Sequence, residues 1–175
     1  MQKGVFIVLE GPDGSGTTSQ SKLLAERLQQ EGHDVLLTAE PTTGPIGVFI
    51  RNQLSTSGNS VTAGALQLLF TADRAWHVDT VIEPALKEGK IVIAERYGIS
   101  TVIYGEATGI DGKWLEAAND KFLKPDLLIV TLPQFDIAIE RINKRKEKDI
   151  MEEKVELQRR IHDLYRAYAA NHPEC

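Results

Sequence analysis

Four short apolar runs punctuate the chain: Val5 to Leu9, Val35 to Thr38, Ile91 to Ala94 and Leu127 to Leu132. They are rich in branched residues and barely alternate with polar ones, the pattern of strands covered on both faces in a parallel sheet. Between them apolar residues recur at helical spacing, over about 17 to 31, 44 to 54 and 62 to 88, with Gly32 and Gly89 closing the first and third stretches. After the fourth run, Phe135 to about Glu147 and about Met151 to Ala170 read as two further helices, and Pro173 opposes continuation of the last. The β-α-β-α-β-α-β rhythm predicts a three-layer α/β fold, a parallel sheet flanked by helices with right-handed crossovers, whose ligand sits at the carboxyl ends of the strands. Glu10, Glu40 and Glu95 all fall at that edge.

Composition narrows the picture. With 175 residues and 42% hydrophobic content, the chain can bury roughly 70% of its unfolded surface around one core. No repeat, linker or low-complexity tract divides it, so residues 1–175 are expected to form a single domain. Twenty basic against twenty-five acidic residues leave a net charge of −5, which gives no reason to expect a nucleic-acid partner and favours a small, locally bound anionic ligand. The single cysteine, Cys175, makes no disulfide framework and suggests a reducing compartment. The sequence enters its first strand without a signal peptide, and no apolar run approaches a membrane span, so a soluble, cytoplasmic protein is expected.

The most specific chemical signal is Gly11-Pro12-Asp13-Gly14-Ser15-Gly16-Thr17-Thr18, placed between the first strand and the first helix. It fits the phosphate-loop pattern G-x-x-x-x-G-K-[ST] except that Thr17 stands where the pattern has lysine. Three glycines let backbone N–H groups curl around an anion, and the helix adds its positive dipole end. A tight turn without ligand is the plainer alternative. If phosphate binds, another group must supply the missing point charge, since Thr17 cannot. Arg141, Lys144, Arg145, Lys146 and Lys148 crowd one stretch with Glu147 as the single acid among them; it reads either as a solvated helix face or as a basic flap over phosphates.

Other clusters share the same edge: Glu95-Arg96-Tyr97 after the third strand, Glu40-Pro41 after the second, Asp73-Arg74 with Phe70 in the long helix, and Asp13 in the loop. Such acid and arginine groups can be plain ion pairs. They are also what phosphoryl transfer needs: carboxylates for hydrated magnesium and arginines for phosphate oxygens. Phe70 and Arg74, four residues apart on one helix face, suit a base that is stacked and hydrogen-bonded at its edge.

Glu10 to Gln20, Glu40-Pro41 with Pro45-Ile46-Gly47, Leu68 to His77, Glu95 to Thr101, and Arg145 with Asp149 and Glu152 together resemble the thymidylate kinase family, in order and through nearly the whole chain. The resemblance implies a P-loop kinase with a basic lid at about 141–152, transfer of the γ-phosphoryl of ATP to dTMP with Mg2+, and a homodimer packed through helices of the middle segment. Gly11 to Thr18 would hold the ATP phosphates, with Thr18 and Glu95 on the metal side. Phe70 would stack on thymine, Arg74 would bond its edge, Thr101 would approach the pyrimidine, and Tyr104 would crowd the sugar 2′ carbon. Glu40 would belong to the dTMP site, Arg51 and Arg96 would hold the dTMP phosphate, and Asp13 would lie near the 3′-hydroxyl. Asp13, Glu95, Arg96 and Arg145 would be catalytic, with Arg145 also standing in for the loop lysine, helped by Lys146 or Lys148.

The chain departs from the family at Thr17, at Ser15 where some members carry arginine, at Glu95 in place of the commoner aspartate, and at Ala39, Gly105 and Ile150. A fifth strand and a further adenine-contacting loop are not expected here, so four strands are predicted. Another pyrimidine nucleotide or nucleoside as acceptor, or a degenerate nucleotide-binding protein, are the rival readings. Trp76, His77 and Trp114 are read as packing residues.

Overall fold

The computed structural model describes residues 4–55, 61–145, 149, 151–152, 154–173 and 175. Its strands are β1 (Val5–Glu10), β2 (Val35–Ala39), β3 (Ile91–Glu95) and β4 (Leu127–Val130), all parallel in the order β2-β3-β1-β4. The four strands match the sequence expectation, the first three each running one residue further and the last ending at Val130 rather than Leu132. Thr131 leaves the sheet there, its N–H still donating to the Glu10 carbonyl at 2.8 Å and its hydroxyl to Ser15 Oγ at 3.0 Å.

Helices α1 (Thr17–Gln30), α2 (Pro45–Ser55), α3 (Ala63–His77), α4 (Glu83–Lys87), α5 (Gly98–Ala107), α6 (Gly112–Asn119), α7 (Phe135–Asn143) and α8 (Val155–Asn171) surround the sheet. The absence of alternation in the strands has a direct cause. Ile7, Leu9 and Ile93 pack with Ala25 of α1 on one face, while Phe6, Val8, Val92 and Ala94 pack with Val78, Ile82 and Ala85 on the other. Both faces are thereby dry. A third cluster joins Ile103 and Ala107 of α5 to Ile161 and Tyr165 of α8.

The single helix expected over 62 to 88 is a composite, because Val78–Ile82 takes π-helical geometry between α3 and α4. Pro84 follows at the head of α4. Proline lacks an N–H and its ring crowds the carbonyl four residues back, so a widened turn before it relieves the ladder; the Thr80 hydroxyl bonds back to the Trp76 carbonyl at 2.6 Å. Helices α5 and α6 are absent from the sequence reading. The start of α6 carries a local signal, the Asp111 carboxylate accepting from the Lys113 N–H at 2.9 Å, which is an N-cap.

Candidate active site

The glycine loop ends where Gly16, at φ +96°, turns the chain into α1 with no side chain capping the helix start. The first N–H groups of α1 are therefore available to an anion. Gly14 is required twice over: its φ is +74°, and a Cβ would stand 2.3 Å from the Ala138 carbonyl oxygen of α7. Gly14→Ala is expected to lower stability by about 2–3 kcal/mol, read by urea denaturation, through strain and overpacking. Asp13 through Thr18 line a cavity of about 1180 Å³ together with Glu95, Arg96, Thr131, Arg141, Arg145 and Asp149. Gly11 and Pro12 are buried at the base of the loop, off that wall.

Thr17 is 5% exposed, and its hydroxyl donates to Glu95 Oε1 at 2.9 Å. The Thr18 hydroxyl donates to the same oxygen at 2.5 Å. Sequence reasoning looked to Arg145 for the missing cation, but the Arg145 guanidinium is ion-paired with Glu152. Arg141 reaches the loop instead, donating from Nη1 to the Gly14 carbonyl at 3.1 Å and the Ser15 carbonyl at 3.4 Å. The sequence signal for it was its place one helical turn before Arg145 in the basic run. Lys146, Lys148 and Ile150 lie outside the described residues.

Glu95 and Thr18 offer a carboxylate beside a hydroxyl at the loop. These are hard oxygen donors, and Mg2+ is ordinarily held by one or two carboxylates plus substrate phosphate and water. No cluster of three acidic, histidine or cysteine side chains forms a complete cage among the described residues. The donor set fits a magnesium ion.

Arg96 has φ 64°, a left-handed conformation that costs a non-glycine residue energy. The site holds it there. Its N–H donates to the Leu9 carbonyl at 2.8 Å, Nη2 to Asp13 Oδ1 at 2.5 Å and Nη1 to Ser100 Oγ at 3.2 Å. Its guanidinium lies 5.1 Å from the Tyr104 ring centre. Glu10 braces the same turn from beneath, accepting from the N–H groups of Tyr97 and Ser100 at 2.8 and 3.1 Å and the hydroxyls of Ser100 and Tyr165 at 2.6 and 2.9 Å. Burial pushes the Glu10 carboxyl above its ordinary range.

Asp13 also accepts from Gln158 Nε2 of α8 at 3.0 Å. Desolvation first, and Asp13 second, push the Asp149 carboxyl up to about 6 from 3.8. A carboxyl raised on folding favours the protonated native state, so stability contributed here is full below pH 4 and falls as pH rises to about 6. Asp149→Asn keeps an oxygen for the Met151 and Glu152 N–H groups, each at 2.8 Å from Asp149 Oδ1. It should remove that slope, raising stability at pH 8 relative to pH 5 by about 1 kcal/mol after solvent screening, as followed by thermal melts across pH.

A second cavity, of about 530 Å³, meets the first at Asp13, Thr18, Ser55, Glu95, Arg96 and Asp149. Glu40, Arg51, Phe70, Arg74, Thr101 and Tyr104 all line it, with Gln67, Tyr97 and Ser100. Arg74 is 1% exposed and is held at both terminal nitrogens: Nη2 donates to Glu40 Oε2 at 2.6 Å and Thr101 Oγ1 at 3.0 Å, and Nη1 to Asn119 Oδ1. Its guanidinium stands 4.8 Å from the Tyr97 ring centre. Glu40 thus acts on the cavity through Arg74. Arg51, on α2, donates to the Pro41 carbonyl at the cavity rim. His77 is not a mere packing residue: fully buried, it hydrogen-bonds Glu40 Oε1 through Nδ1 at 3.1 Å and Thr38 Oγ1 through Nε2 at 2.7 Å. Trp76 does pack, on Gly44, whereas Trp114 is 45% exposed. Asn119 and Gln158 escaped sequence reasoning because each acts across elements distant in the chain, bonding Arg74 and Asp13 respectively.

Comparison with known proteins agrees with this architecture. The sequence profile of the family described as thymidylate kinase matches residues 9–174. The chain is 43% identical to the "Probable thymidylate kinase" of Pyrococcus horikoshii over 98% of its length and 86% of that protein. It is 39% identical to the "Thymidylate kinase" of Desulfotalea psychrophila over 93% of its length and 80% of that protein. The crystal structure of thymidylate kinase from Ehrlichia chaffeensis superposes with a TM-score of 0.78 at 30% identity, covering 98% of this chain and 90% of that one. A parallel sheet in the order 2-3-1-4, a glycine loop at the end of β1, and a profile that spans both cavities leave one conclusion: the chain belongs to the thymidylate kinase family.

Proposed function

We propose that the protein transfers the γ-phosphoryl group of ATP to dTMP, releasing ADP and dTDP. The observation that carries this reading is the junction of two cavities, one walled by the phosphate loop and one by Phe70 and Arg74, through Asp13, Thr18, Glu95 and Arg96. ATP occupies the first and dTMP the second. A dTMP phosphate oxygen attacks the γ phosphorus as its bond to the bridging β–γ oxygen breaks, and ADP leaves. Loop N–H groups and Arg141 hold the ATP phosphates, Arg51 and Arg96 the acceptor phosphate, and Arg145 faces the transferring group from the loop cavity. Thr18 and Glu95 would hold Mg2+, which neutralises phosphate charge when bound. Catalysis is then positioning and charge placement, with little covalent work by the protein. Asp13 lies between the sites, oriented by Arg96 and Gln158.

Phe70 faces the acceptor cavity as the stacking ring for the base, with Thr101 and Tyr104 on the α5 side. The reading treats the chain as one kinase domain, since both cavities open at one sheet edge. It carries with it the cytoplasmic location and the homodimer implied by the family, the latter supported by exposed Val48 and Phe49 on α2 and Leu68 on α3. No helix of the described residues is long and apolar enough to cross a membrane.

The experiment is a coupled assay of ADP release with dTMP, dUMP, dCMP and thymidine. Turnover greatest with dTMP supports the reading. Thermal shifts with ATP and dTMP but no turnover on any acceptor would instead establish a binding protein, the alternative that Thr17 favours.

A further inference from the structure

The acceptor cavity contains a polar side chain with no assigned role and no partner. Gln67 of α3 is 0% exposed, yet neither Oε1 nor Nε2 of its amide has a hydrogen-bond partner. A buried amide left unpaired is costly, so such a group calls for an explanation in a ligand or ordered water. Helical spacing puts Gln67 three residues before Phe70 and seven before Arg74, on the same face of α3. All three line the same cavity. Opposite, on α5, Gly105 has no side chain; a Cβ there would stand 2.1 Å from Leu115 Cδ1 and 3.2 Å from Gln67 Cγ. The packing of α3 against α5 therefore holds the glutamine side chain closely, and the residue is part of the cavity lining.

Arg74 is in a matching condition. Its two terminal nitrogens are engaged by Glu40, Thr101 and Asn119, and its Nε is buried without a partner. The α3 side of the cavity wall thus carries an unpaired arginine donor and an unpaired amide, which supplies both a donor and an acceptor, and the hydroxyls of Tyr97 and Tyr104 on the same cavity are unpaired as well. A 2,4-dioxopyrimidine presents carbonyl oxygen, N3–H and carbonyl oxygen along one edge, the complement of donor, acceptor and donor.

We infer that Gln67 is a specificity-determining residue that hydrogen-bonds the edge of the pyrimidine base, acting with Arg74 while Phe70 stacks on the ring. The inference rests on the assignment of this cavity to dTMP. It explains why a glutamine occupies an otherwise apolar stretch of α3 between Leu66 and Leu68.

Gln67→Met removes both amide groups at nearly constant volume. Melting of the ligand-free variant should match or exceed that of the wild type, because an unpaired buried amide is lost. In kinetics, KM for dTMP should rise about 10- to 100-fold with KM for ATP unchanged, and the preference for dTMP over dCMP should narrow. Affinity for 2-deoxyribose 5-phosphate, which has no base, should be unaffected by calorimetry. An unchanged KM for dTMP, or equal losses for dTMP and for the sugar phosphate, would overturn the inference. If the wild type turns over no acceptor, the kinase reading fails separately, and the calorimetric comparison of dTMP with the sugar phosphate still decides the role of Gln67.

Discussion

Arg141→Ala is expected to lower kcat about 100-fold and to raise KM for ATP, and Thr17→Lys in the same protein is expected to restore most of the loss. Loop N–H groups supply oriented dipoles but no net charge, and the position that ordinarily carries an ammonium group holds a buried threonine bonded to Glu95. A charge-assisted contact to phosphate is worth roughly 1.5–3 kcal/mol, which in a rate is tenfold to somewhat over a hundredfold. Among the described residues Arg141 is the cation hydrogen-bonded to the loop backbone, at the Gly14 and Ser15 carbonyls, whereas Arg96 is engaged by the Asp13 side chain. Arg141 is held there because α7 rests on Gly14 through the Ala138 backbone. Arg145→Ala should also reduce kcat, but without the rise in KM for ATP, since its guanidinium is engaged by Glu152. The decisive measurement is the pairing: Thr17→Lys should rescue Arg141→Ala and not Arg145→Ala. Arg141→Ala with wild-type kinetics would refute the assignment, and Arg141→Lys, which keeps the charge, separates charge loss from disturbance of the loop.

The different fates of Arg141 and Arg145 illustrate what local pattern can reveal. The strands and the glycine loop were legible because their causes are local: two-sided burial removes alternation from β1 and β3, and the loop is confined to eight consecutive residues. Phe70 with Arg74 was legible for the same reason, being one turn of one helix. Helix α5 was not. Gly98-Ile99-Ser100-Thr101-Val102-Ile103 combines glycine with branched residues that favour strands, and its helical state depends on packing against α3 and α8. The π-helical turn after His77 was also hidden, since it interrupts a pattern without changing its apolar content. Which arginine reaches the loop is decided by the docking of α7, and the role of Glu40 as the partner of Arg74 by the meeting of β2 and α3. Neither leaves a mark in the spacing of residues.

That meeting sets up the other large effect. Arg74→Met should destabilise the protein by about 3–5 kcal/mol, because it leaves Glu40 as a buried carboxylate without its cation. For a chain of this length the melting temperature should fall by roughly 10 °C. The Glu40 and Arg74 side chains are 3% and 1% exposed, so solvent cannot take over the lost pairing. Glu40→Gln in the Arg74→Met background should recover about half of the loss, since the amide can still accept from His77 while carrying no charge. Recovery in the double variant distinguishes a stranded charge from a cavity left by a missing side chain, which Glu40→Gln would not repair. Urea unfolding of the two single variants and the double variant completes the cycle. dTMP turnover should remain absent in both variants lacking Arg74, because restoring the fold does not restore the donor that faces the base. Additive losses with no recovery would show that Arg74 stabilises α3 by packing alone.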